Sequence, residues 1–401
     1  RRNFIALAGV LPRDALLFNS RQTVMKVDYK QNLLTGLLVI FVVTLGASSC
    51  GTNEEENNIK QEVRVYNWSD YIADTTISEF EKETGIDVIY DVYDSNEILE
   101  GKLLAGNTGY DIVGPSSEFM GRQIIAGVLQ KLNKQALSNY ANLDPAMMSL
   151  LENLDPDNAH SIPYLWGTTG IGYNKQKAIE VMGADFAMDT LDVVFIPEII
   201  AKFQHCGVAF LDAPSEMFKA ALHYLGLDPN SHNPKDYQEQ STVLLKNVRP
   251  YIQYFHSSKY INDLANGDIC LAFAWSGDVL QAADRARESG NGVQIEYRIP
   301  REGTLMWFDM LAIPADAPNP ENAHKFLNYI LRPEVIAEIS NKVNFANANI
   351  SSKPLINEAA LNNPGIYPQE QLMRKLFVAK ILPPEVDRVM TRQWVEIKAR
   401  Q

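Results

Sequence analysis

Three short clusters in this chain pair a flat aromatic face with a carboxylate: Trp68-Ser69-Asp70-Tyr71, Trp275-Ser276-Gly277-Asp278 and Trp307-Phe308-Asp309. That combination suits an organic cation. A carboxylate takes an ammonium charge through a charge-assisted hydrogen bond, and aromatic walls along the hydrocarbon stem add about 0.5–2 kcal/mol for each good cation–π contact. A single such cluster is equally what a core tryptophan beside a chance acid looks like. Three of them, each near turn-forming Ser or Gly at a strand end, fit loops held by a rigid scaffold, where function concentrates.

The scaffold follows from hydrophobic periodicity, which alternates strands with amphipathic helices and predicts an α/β protein with mainly parallel sheets. Val63 to Trp68 reads as the first strand, Ile72 to Thr84 as a helix stopped by Gly85, and Ile86 to Tyr90 as the second strand. Glu97 to Ala105 reads as the next helix, and Tyr110 to Gly114 as a strand running into Pro115-Ser116-Ser117. In open α/β sheets ligands bind beyond the carboxyl ends of strands, which puts Trp68 to Tyr71 and Ser116-Ser117 on one rim. Gly167 to Tyr173 reads as a crossover into a second lobe, its glycines serving either a backbone change or close strand packing. There the strands Gly207 to Leu211 and Ile269 to Trp275 end beside Glu216 and Asp278, in equivalent positions. Phe308 to Pro314 reads as a strand returning to the first lobe.

The chain has a formal net charge of −13. Nucleic acid is therefore not an expected partner, because phosphate binding needs a basic face. An acidic surface favours cationic ligands, although it also serves plain solubility.

Residues 1–24 precede Met25 and read as upstream sequence, while Met25 to Ser49 has the basic start and apolar run of an export signal. The run ends in Leu45-Gly46-Ala47-Ser48-Ser49-Cys50, which resembles a bacterial lipoprotein lipidation site at Cys50. Ordinary cleavage after Ser49 is the alternative, and either route exports the protein. Cleavage there removes six basic and two acidic residues, leaving −17 over 352 residues. Residues 50–60, with three consecutive Glu, read as a solvated tether. In an oxidising compartment Cys206 and Cys270 are expected to pair, with a catalytic thiol as the competing possibility.

Taken together, Tyr66-Asn67-Trp68-Ser69-Asp70-Tyr71, Asn266-Gly267-Asp268 and Trp275-Ser276-Gly277-Asp278 resemble the polyamine-binding proteins of ABC importers, nearest to the putrescine and spermidine receptors. Phe210-Leu211-Asp212-Ala213-Pro214, Phe255-His256-Ser257-Ser258 and Asn344-Phe345-Ala346-Asn347-Ala348-Asn349 add to the likeness, which runs from about Val63 to Lys398. The resemblance implies a type II, two-lobed periplasmic binding protein, expected to be a monomer, with residues 61–166 and 305–365 in one lobe and 167–304 and 366–401 in the other. It implies a diamine flanked by Trp68, Tyr71 and Trp307, with Trp275 packing from the opposite lobe. Ser69, Ser116, Glu216, Asp278 and Asp309 would receive the ammonium groups, Asp70 would help from the rim, and Cys206 and Cys270 match the family's disulfide pair. Phe345 stands where putrescine receptors carry Tyr, which removes one hydroxyl. Hinge closure and delivery to an inner-membrane permease are implied in the same way, with no cofactor.

Putrescine and spermidine both remain open. Glu118 either supplies a third ammonium's partner or is a solvated acid at a helix start, and Trp307, larger than the Phe of some putrescine receptors, leans toward the longer amine. Two other classes compete. A glycosidase would use two of Glu216, Asp278 and Asp309 around a sugar stacked on tryptophans. A binding protein for another ligand is the other, whether agmatine, cadaverine, an anion or a metal. The six histidines show no metal-ligand spacing, and the strand ends carry acids where an anion receptor needs bases.

Overall fold

The computed structural model describes residues 61–399. The expected upstream segment, export signal, Cys50 and tether lie outside the described residues.

Among the described residues eleven strands form the framework: β1 (Glu62–Trp68), β2 (Asp87–Tyr93), β3 (Ile112–Val113), β4 (Ser161–Asn174), β5 (Val208–Phe210), β6 (Tyr254–Phe255), β7 (Leu271–Trp275), β8 (Ile295–Arg298), β9 (Leu305–Ala312), β10 (Ala346–Asn347) and β11 (Phe377–Val378). Their hydrogen-bonded order is β2-β1-β3-β9-β4-β7-β5-β6, with β8 and β10 also on β4 and β11 on β9. Parallel pairing joins β1 to β2 and β3, and β5 to β6 and β7. Such pairing requires a crossover between strands, and helices supply it, including Thr76–Thr84, Asn96–Ala105 and Pro214–Tyr224.

The long strand β4 is buried throughout and joins the two halves. Ser161 to Thr168 pairs with β9, whereas Thr169 to Asn174 pairs with β7 and β8. The chain therefore crosses between lobes without leaving the sheet. Its glycines serve close packing, because a Cβ at Gly170 would meet the Tyr297 hydroxyl at 2.5 Å and one at Gly172 would meet Val279 at 2.6 Å. The apolar interior falls into two clusters to match, one around Phe80, Ile112, Phe308 and Leu327 and one around Phe210, Phe218, Phe273 and Trp394. Burying a side chain of that size stabilises by about 1.5–3 kcal/mol, so each lobe has a core of its own. Within the second, Cys206 and Cys270 are joined in a disulfide.

Element positions depart from expectation at several points that matter for the cleft. The first helix starts at Thr76 rather than Ile72, because Tyr71 is committed elsewhere: its carbonyl accepts from the Tyr164 hydroxyl at 2.7 Å and its own hydroxyl donates to Asp309 at 2.9 Å. The second strand continues past Tyr90 to Tyr93. Trp307 and Asp309 lie inside β9 rather than at a strand end. Being two residues apart they share a face of the strand, while Phe308 points to the other.

Candidate functional site: an acidic cleft with aromatic walls

The C-terminal ends of β1, β2 and β7 and the middle of β9 converge on a cavity. Nine of the expected residues line it: Trp68, Ser69, Tyr71, Ser116, Trp275, Asp278, Trp307, Asp309 and Phe345. Among the described residues its wall contains carboxylates and no lysine, arginine or histidine.

The aromatic side chains form a connected collar. Trp68 meets Trp275 edge-on, with ring centroids 5.4 Å apart, and Trp275 meets Trp307 at 6.3 Å. Phe345 continues the collar, against Trp307 at 5.3 Å and Tyr71 at 5.2 Å. Since Trp68 comes from the first lobe and Trp275 from the second, the collar crosses the cleft. Trp68 and Phe345 are held in place. The Trp68 indole N–H donates to the Gly114 carbonyl at 2.8 Å. Gly277 leaves room for Phe345, whose ring would lie 2.5 Å from any Cβ there.

Asp309 sits opposite Ser116 in an isolated antiparallel bridge. The Ser116 hydroxyl donates to it at 2.6 Å and the Tyr71 hydroxyl at 2.9 Å. Asp278 occupies the first turn of the helix Ser276–Ser289 and accepts from the Tyr260 hydroxyl at 2.5 Å. Glu216 stands likewise in the first turn of Pro214–Tyr224, where the helix N-terminus favours an anion. It does not line the main cavity. Its carboxylate accepts from the Trp275 indole N–H at 2.8 and 2.9 Å and from Thr169, and it faces an adjoining compartment. Trp68, Asp94 and Trp275 line both spaces and connect them.

Burial disfavours the charged form of these acids. It pushes Asp309 up to about 7, against the hydrogen bonds from Ser116 and Tyr71 that pull it down. It lifts Asp278 to about 7 against the Tyr260 hydrogen bond, with Asp70 adding repulsion and Arg285 relieving it. It lifts Glu216 to about 8, opposed by the hydrogen bonds from Thr169 and Trp275 and reinforced by Glu118 and Asp309. Burial and the neighbouring Asp309 also keep the Tyr71 hydroxyl protonated, hence a donor. The site is thus short of positive charge, a deficit that a cationic ligand would supply.

Asp70 stands apart from the cavity. It is exposed, with its backbone at φ 55°, and its carboxylate pairs with Arg285 of the other lobe at 2.6 Å. That pairing makes it a lobe-to-lobe contact. Glu118 is buried rather than solvated, and accepts from the Ser215 hydroxyl across the cleft.

Tyr93, Asp94, Ser257 and Ser258 also line the cavity and were not anticipated as site residues. Asp94 accepts from the Ser69 hydroxyl at 3.0 Å. Placing the end of the second strand at Tyr90 hid Tyr93 and Asp94, which the strand-end rule would otherwise have picked out. Ser257-Ser258 carried the family likeness without a role.

A cleft between two α/β lobes, lined by side chains from both, is the architecture of a receptor for a small solute, and the chain belongs to the bacterial extracellular solute-binding protein family, which it matches over residues 75–365. It is 52% identical over 355 residues to a putrescine-binding periplasmic protein of Escherichia coli, covering 88% of this chain and 95% of that one. A putrescine-binding periplasmic protein of Pseudomonas aeruginosa is 51% identical over 360 residues, with 90% and 97% covered. A solved structure described as a spermidine/putrescine ABC transporter from Listeria monocytogenes superposes with a TM-score of 0.75 at 31% identity, covering 85% of this chain and all of that one. The type II two-lobed fold and the resemblance drawn from the sequence both hold. The glycosidase alternative gains no support from these relatives.

Proposed function

We propose that this protein captures a short aliphatic polyamine, putrescine and/or spermidine, in the interlobe cleft outside the cytoplasmic membrane and presents it to an ABC permease. The observation that carries this is the cleft itself: buried carboxylates short of counter-charge inside an aromatic collar. Taking an ammonium out of water is costly unless it is paired and hydrogen-bonded, and the cleft offers that pairing. Asp309 and Asp278 take one ammonium, Trp68, Trp275 and Trp307 enclose the methylene stem, and Glu216 takes the charge beyond Trp275. The names of the relatives support the same ligand class.

Hinge closure completes the site, since Trp68 and Trp275 meet only when the lobes do. We assign residues 61–166 and 305–365 to one lobe and 167–304 and 366–401 to the other. The membership of the two cores supports this for most of the chain, while Ile366 and Ala379 pack with the first core, moving the last crossing toward Leu382. We keep Cys50 as the proposed lipid anchor, to be tested by fatty-acid labelling against Cys50→Ser, and the monomer as the proposed state.

The test is calorimetric titration of ligand-free protein with putrescine, cadaverine, agmatine, spermidine and spermine. Saturable binding of one amine per chain is expected for putrescine or spermidine. Binding of none of the five would overturn the proposal.

A further inference from the structure

Behind the wall of the compartment beyond Trp275, one of the acids that line it already has a buried lysine as its partner. Lys219, on the helix Pro214–Tyr224 of the second lobe, is 1% exposed. Its ammonium donates to the Ser215 hydroxyl at 2.9 Å and lies 3.4 Å from Glu118 Oε2. Glu118 belongs to the first-lobe helix Ser117–Ile125 and is 9% exposed, while its Oε1 accepts from Ser215. Oε2 has no hydrogen-bond partner among the described residues and faces the lysine through charge alone. Glu118, Ser215 and Glu216 line the same compartment. Glu97 also lines it, but it borders the two open surface grooves as well and so sits at the outer rim.

A lysine is rarely buried without a partner, and a lone buried charge is strongly disfavoured. Glu118 is the carboxylate that meets this demand, and its charge is thereby used. We propose that Lys219 is a resident ammonium that takes up the Glu118 carboxylate a third amine would need, so that the cleft favours two-charge amines over three-charge ones. This rests on the polyamine reading of the cleft. A diamine ends at Glu216, ahead of Lys219. A triamine that continues into the same compartment brings a cation toward the lysine and finds Glu118 already paired, so it meets repulsion where a receptor for triamines needs attraction. The discrimination is built by pairing that acid with a resident like charge, a form of rejection that shape alone supplies poorly.

Putrescine and spermidine are titrated calorimetrically into the wild type, Lys219→Met, and the double variant Lys219→Met with Glu118→Gln. The wild type is expected to bind putrescine at least about tenfold more tightly than spermidine, the scale of one charge-assisted contact. Lys219→Met frees Glu118 and is expected to shift the affinity ratio toward spermidine by about tenfold or more. Adding Glu118→Gln should reverse that shift. Equal affinity of the wild type for both amines, or an unmoved ratio in Lys219→Met, would overturn the inference while leaving polyamine binding intact. Binding of neither amine by the wild type would instead remove the reading on which it rests. If the variants do not fold, the wild-type ratio alone decides.

Discussion

With Asp309 and Asp278 lifted to about 7 and Glu216 to about 8 by burial, the ligand-free cleft holds protons at neutral pH. A dication favours the ionised forms, so binding must release protons. Titration with putrescine at pH 7 in two buffers of different ionisation heat should differ by on the order of one proton's worth of buffer heat, and affinity should fall as pH drops from about 8 to about 6. Identical heats in both buffers would contradict the assignment. For the stability of the ligand-free protein the sign is opposite. Unfolded carboxyls titrate near pH 4, so the folded state binds the extra protons and stability should fall as pH rises from about 4 through about 8. Asp309→Asn should weaken putrescine binding on the order of tenfold to a hundredfold without lowering the melting temperature at pH 8, as titration and calorimetric melting will test. Most of the cavity wall was legible in the three aromatic-acid clusters, because flat rings beside acids leave a local signature. Lys219 was not. A lysine on an amphipathic helix looks like a solvated residue, and only the tertiary packing around it, Glu118 of the facing lobe included, buries it.

Among elements, two kinds of boundary carry the geometry. Strand ends deliver Trp68, Asp94 and Trp275, and helix first turns deliver Glu216 and Asp278. The strands and their order of types were legible from periodicity, but the start of the first helix and the end of β2 were not. At both places tertiary contacts compete with local propensity: Tyr71 is drawn to Asp309, and β2 extends by pairing Tyr93 with Trp68. Gly277 shows how tightly a helix start is fitted to the site. Gly277→Ala would drive a methyl into the Phe345 ring, and overpacking of this kind costs about 1–3 kcal/mol. Urea denaturation should show that loss together with weaker amine binding, since Phe345 touches Tyr71 and Trp307. Unchanged stability and affinity would mean that the ring has room to move.

For the molecule as a whole, the lobes meet through contacts that also hold the cleft shut: Asp70 with Arg285 at 2.6 Å, Asn344 with Asp284 at 2.8 Å, and Glu118 with Ser215 and Lys219. The crossover was legible in the Gly167 to Tyr173 run, although the glycines turned out to serve packing within β4. In solution, X-ray scattering should record a smaller radius of gyration with saturating putrescine than without it, and matching profiles would argue against hinge closure. The central claim is that an amine lies between these carboxylates inside the aromatic collar, and a crystal structure grown with putrescine tests it most directly. The account predicts one linear diamine enclosed by Trp68, Trp275 and Trp307, with one nitrogen within hydrogen-bonding distance of Asp309 or Asp278 and the other directed to Glu216. An empty cleft, or putrescine bound only elsewhere on the protein, would contradict it.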